Sequence, residues 1–81
     1  MKKISYSVLA LLYRNIMFIA KEDKIPAKQV VKRILTNKQE LQWYINDLHY
    51  DCQLMEDDET NIIKTHYNLC KKSIEELNQL L

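Results

Sequence analysis

Between Ile25 and Leu48 the apolar side chains fall at Ile25, Val30, Val31, Ile34, Leu41, Tyr44, Ile45 and Leu48. This spacing predicts a short amphipathic helix ending near Leu35, a polar break at Thr36-Asn37, and a longer amphipathic helix after it. Pro26 suits the first turn of the shorter helix, where a backbone N–H has no intrahelical use. Asn37, followed three residues later by Glu40, makes a capping-box-like start for the longer one. Upstream, Ser5 or Ser7 can cap a first helix running to about Lys21. Its apolar residues Val8, Leu9, Leu11, Leu12, Ile16, Phe18 and Ile19 go most of the way round, which predicts burial on more than one side, in the core or across a dimer interface.

Beyond Leu48 the pattern forks. As helix, Leu41, Ile45, Leu48, Cys52 and Met55 keep a 4-3-4-3 spacing, and Ile63, Tyr67, Cys70, Ile74, Leu77 and Leu81 resume it after the acidic run Glu56-Asp57-Asp58-Glu59. That describes a helical hairpin and an all-α four-helix bundle. As strand, Tyr50, Cys52 and Leu54 alternate before the acidic run, and Ile63, Thr65, Tyr67 and Leu69 alternate after it. That describes a β-hairpin turning between Asp57 and Asn61, with a last helix from about Cys70.

Composition narrows the function classes. The 81 residues make one domain, 1–81, with 47% hydrophobic and 28% charged residues. A core this small favours dimerisation or a bound partner. Without glycine, any left-handed turn residue is expected to be Asn or Asp, such as Asn37 or Asn61, and every glycine-rich phosphate loop is excluded. The net charge of +1 conceals a division, +6 over residues 1–40 and −5 over residues 41–81. A basic face toward phosphate, or two ordinary solvated faces, would each produce it. Two cysteines point to a reducing, cytoplasmic setting rather than a disulfide framework. In MKKISYSVLALLY, the apolar run is interrupted at Arg14-Asn15 and no A-x-A-like site follows, so it is read as structure, with no membrane span.

Leu48-His49-Tyr50-Asp51-Cys52-Gln53-Leu54 resembles the L-x-x-D-G-Y-L segment that follows the recognition helix in small winged helix-turn-helix regulators. Tyr67-Asn68-Leu69-Cys70-Lys71-Lys72-Ser73-Ile74-Glu75-Glu76-Leu77 is similar to their Y-x-L-T-x-K-G-x-E-x-L segment, and Ile25 to Leu48 resembles their two-helix core. Cys52 and Ser73 stand where that family prefers glycine, and Leu35 occupies a turn position that also favours it. The resemblance implies a mainly α fold with a small β-hairpin, the wing. It also implies a dimeric transcriptional regulator that inserts helix 37–49 in the major groove of double-stranded DNA. Asn37, Lys38, Gln39, Gln42 and Asn46 would then face the bases, with Lys28 and Lys32 on phosphates. The first and last helices would form the homodimer. Trp43 lies on the same side, but an aromatic at helical spacing is read first as core.

An acidic wing, Glu56 to Glu59, would repel phosphate. The alternative is therefore an all-helical protein–protein interaction module, such as an inhibitor or immunity-type protein, with the 56–59 segment offered to a partner. His49, Cys52, His66 and Cys70 have finger-like zinc spacing, yet both cysteines also fit the apolar repeats, and core is the preferred reading. Neither a catalytic set nor a cofactor is assigned, and the chain is read as a non-enzyme.

Overall fold

A computed structural model describes residues 3–81. Four helices stand among the described residues: α1 (Tyr6–Asp23), α2 (Ala27–Thr36), α3 (Lys38–Met55) and α4 (Asn61–Asn78). The chain is thus mainly α, and no described residue is in a strand. Of the two readings beyond Leu48 the helical one holds, and the expected β-hairpin and its wing are replaced by the α3–α4 hairpin. The helix expected over 37–49 continues to Met55.

Burial shows why the helical reading holds. A strand would put Tyr50, Cys52 and Leu54 on one face, but Cys52 is 8% exposed while Tyr50 is 58% and Leu54 67% exposed. The residues that are buried, Leu41, Tyr44, Ile45, Leu48 and Cys52, follow the helical period. In addition, residues 49–55 contain no β-branched side chain to favour a pleated strand.

Each connection is short and locally satisfied. Ser5 caps α1, its Oγ accepting from the Val8 N–H. At the other end Lys24 adopts the left-handed conformation, φ 54°, and the N–H groups of Lys24 and Ile25 both donate to the Ala20 carbonyl. This closes the helix in the way a glycine usually would. A lysine there costs roughly 1–2 kcal/mol, and the expectation that an asparagine or aspartate would take such a position is corrected. Pro26 stands just before α2 as its N-cap, its carbonyl accepting from Gln29 and Val30.

Asn37 alone joins α2 to α3. Its backbone is extended, its N–H donates to the Arg33 carbonyl, and its Oδ1 accepts from the N–H groups of Gln39 and Glu40. Glu40 does not complete the capping box, because its carboxylate turns to Arg33 instead. A helix-turn-helix uses a turn of three to four residues; here Leu35 remains helical and the link is one residue. Between α3 and α4, Asp58 Oδ1 accepts from the Thr60 N–H at 2.8 Å and shapes the turn without a positive φ.

The core draws on all four helices: Val8, Leu12, Ile16 and Ala20; Val30 and Ile34; Leu41, Tyr44, Ile45, Leu48 and Cys52; Cys70, Ile74 and Leu77. On α1 these fall at intervals of four, so it buries one face and not several, and Tyr13, Met17 and Phe18 remain exposed. The molecule measures 38 × 26 × 20 Å. Its shortest dimension holds two helices of about 10 Å diameter, so each helix keeps an outward face.

Candidate interaction surface

Two outward faces carry the chemistry. The first is the polar face over α2 and the start of α3. All seven residues expected to meet DNA, Lys28, Lys32, Asn37, Lys38, Gln39, Gln42 and Asn46, are exposed, and the one-residue link brings the α2 lysines and Lys38 onto successive helices. Two of these residues already have local work. The Asn37 oxygen is engaged as the α3 cap, and Gln42 Nε2 donates to Asn46 Oδ1 at 3.0 Å.

Arg33 is drawn away from that face. Its Nε donates to Glu40 Oε1 at 2.8 Å and its Nη1 to Asp23 Oδ2 at 3.0 Å, clasping α2 to α3 and to the end of α1. These hydrogen bonds, to Glu40 first and Asp23 second, raise the guanidinium pKa further. Among the described residues these are the ion pairs present.

The second face is the outside of α3. Trp43 is 51% exposed rather than core, and it shares this side with Tyr50 and Leu54. At i, i+7 and i+11 the three lie within about 40° of one another around the helix. They form an apolar line opposite the buried one. The Trp43 ring stands edge-on to Tyr44, with centroids 4.8 Å apart, so its base is anchored while its outer surface meets solvent. Asp47 and Asp51 border the line on one side, and Gln39, Asn46 and Gln53 on the other. Asn15 Nδ2 donates to Asp47 Oδ2 at 2.9 Å and ties α1 to the acidic border. Burial, and then the neighbouring Asp47 charge, raise the Asp51 carboxyl, while His66 on α4 partly offsets them. Sequence periodicity contains this line, since 43, 50 and 54 keep helical spacing, but a buried reading of Trp43 conceals it.

The finger-like quartet is not assembled. His49 and His66 are exposed, Cys52 and Cys70 are buried on facing helices, and among the described residues no three His, Cys, Asp or Glu side chains group for a metal ion. Burial pushes the Cys70 thiol up to about 11 and the Cys52 thiol upward as well. Such thiols stay protonated and are poor nucleophiles.

Comparison with protein families, with curated proteins and with solved structures finds no match.

An open depression of about 490 Å³ lies between the start of α1 and the end of α4, lined by Ser5, Val8, Leu69, Ser73 and Glu76 among others. Two of its polar contacts are made within the chain: the Ser5 N–H donates to Glu76 Oε2 at 2.9 Å, and Ser73 Oγ donates to the Leu69 carbonyl at 2.8 Å. No helix among the described residues is long and apolar enough to cross a membrane.

Proposed function

We propose that this chain is an all-helical protein-interaction module of the inhibitor or immunity type, a binding protein rather than an enzyme, acting in the reducing cytoplasm. The observation that carries this reading is the line Trp43, Tyr50 and Leu54, three large side chains on one exposed side of a helix whose other side fills the core. Tryptophan and tyrosine dominate the energetics of protein interfaces, because each buries a large rigid surface for few frozen torsions. A stability role does not account for them, since their outer surfaces touch solvent.

The experiment is photo-cross-linking from a benzophenone side chain placed at Tyr50, in extracts of the producing cell. One discrete adduct is expected, displaced by excess unlabelled protein and not by a Trp43→Ala/Leu54→Ala variant. A diffuse ladder, or an adduct that the variant displaces equally well, would overturn the reading.

A second reading, duplex DNA binding through α2 and α3, has its own support: α2 carries Lys28 and Lys32, both exposed, and no acidic residue. The resemblance to winged helix regulators now rests on this helix pair alone, without the wing. In this reading a homodimer would form through α1 and α4, with Tyr6, Tyr13 and Met17 as exposed apolar material on α1. Binding to mixed-sequence duplex that falls steeply with salt, and is lost in Lys28→Glu/Lys38→Glu, would favour it. No binding at low salt would remove it.

A further inference from the structure

We infer that the outer face of α3, together with the 56–59 loop at its end, receives a basic amphipathic helix of a partner protein. This rests on the protein-interaction reading and adds the chemistry of the partner.

The geometry of the face fits a helix. From Trp43 to Leu54 is eleven residues, about 16 Å along the axis, so the three anchors match a partner segment of roughly three turns. A side-by-side helix presenting apolar residues at i, i+3 or i+4, and i+7 would cover them. Charge then selects among amphipathic helices. Along the acidic border stand Asp47, held by a neutral amide, and Asp51, one turn on, whose charged neighbours are Asp47 and, opposing it, His66.

Past Leu54 come Glu56, Asp57, Asp58 and Glu59, all exposed. The last turn of α3 contains no basic residue, so its backbone carbonyls, the negative end of the helix dipole, add to the same field. Among the described residues no ion pair reaches any of these six carboxylates. Lys71 on α4 stands within electrostatic reach of Glu56, and a partner with Lys or Arg along one flank and at one end would supply cations to the other carboxylates. An anionic membrane or nucleic acid would be repelled. A second copy would have to bring the exposed side of α1, where Tyr6, Tyr13 and Met17 stand at the same spacing with Arg14 and Lys21 beside them, and that outcome is read as a blue shift that tracks protein concentration without peptide.

Trp43 is the single tryptophan of the chain, and it lies in the proposed contact, so its emission reports occupancy directly. The test titrates the full chain with a synthetic Leu/Lys amphipathic helix of about 18 residues, and with the same peptide carrying Glu for Lys. The Lys peptide is expected to shift Trp43 emission to the blue and the Glu peptide to leave it unchanged. Asp47→Lys/Asp51→Lys should weaken the Lys peptide about tenfold or more and admit the Glu peptide.

Because Asp51 is half-buried, Glu56→Lys/Asp57→Lys in the exposed turn provides a second variant, expected to change both titrations in the same direction. Equal responses to the two peptides, no response to the Lys peptide at low salt, or a blue shift that tracks protein concentration without peptide would each overturn the inference. A cross-linked partner at Tyr50 without a basic amphipathic segment would sink this inference while leaving the interaction reading intact.

Discussion

The two sides of α3 are built from nearly the same materials. Inside are Leu41, Tyr44, Ile45, Leu48 and Cys52; outside are Trp43, Tyr50 and Leu54. Each side has aromatic rings and leucine at helical spacing. They differ in what meets them: α2, α4 and α1 close over the inner side, whereas the outer side meets water between one acidic and one amide border. Hydrophobicity alone therefore does not identify the core. Complementary surface from other helices does, and where it is missing the same residue types become candidates for intermolecular contact.

Matched substitutions on the two sides put this contrast to the hardest test. Leu48→Ala should destabilise the chain by about 2–5 kcal/mol in urea unfolding, through lost transfer energy and a cavity. Leu54→Ala should stay within about 0.5 kcal/mol. Comparable losses at the two positions would mean that the outer line is folded against something within the chain.

The tyrosines extend the comparison. Among the described residues Tyr44 is the largest fully buried side chain, and its hydroxyl has no hydrogen-bond partner there. An unsatisfied buried hydroxyl is costly, so Tyr44→Phe should stabilise by about 1 kcal/mol, while Tyr50→Phe should be neutral. Burial first, and the Glu40 charge second, push Tyr44 up to about 12 from an ordinary 10.0. A phenol raised by folding favours the folded state fully below its unfolded pKa. That stability should fall as pH rises from 10 through 12, because the unfolded chain loses the proton first. Ultraviolet titration should therefore find Tyr44 ionising late or together with unfolding.

Two smaller effects concern how α3 is held. Asn37→Ala removes the oxygen that caps Gln39 and Glu40 and should cost about 1 kcal/mol. Arg33→Ala opens the part-buried clasp to Glu40 and its exposed arm to Asp23; its destabilisation should be smaller than that of Asn37→Ala and should shrink in high salt, as thermal melts at two ionic strengths would reveal.

The helix ends are legible where a local interaction fixes them. Ser5 at α1 and Asn37 before α3 sit where sequence signals put them, while Pro26, expected in the first turn of α2, stands one residue outside it as the N-cap. The apolar repeats from Leu41 to Met55 and from Ile63 to Leu77 also describe the hairpin correctly. What misleads is the exposed line itself. Tyr50 and Leu54 flank buried Cys52, and together the three imitate the alternation of a strand, although only one of them faces the core. The same imitation makes Trp43 resemble a core residue. A one-dimensional pattern assumes that apolar means inward, and it fails at residues whose partner is not in the chain. Lys24 escapes for a different reason: the closure of α1 onto the Ala20 carbonyl sets its left-handed backbone, and the glycine that usually signals such a closure is absent from the chain.

The one-residue joint at Asn37 acts as an index mark for the whole of α3. Each residue added to a helix turns every later side chain by about 100° about the axis. An insertion beside Asn37 that lengthened α3 would therefore rotate its inner and outer lines together, carrying Trp43 toward the bundle and Leu48 toward water. Evolution along this chain can change the chemistry of either line one side chain at a time. A change in the length of the joint would turn both lines at once.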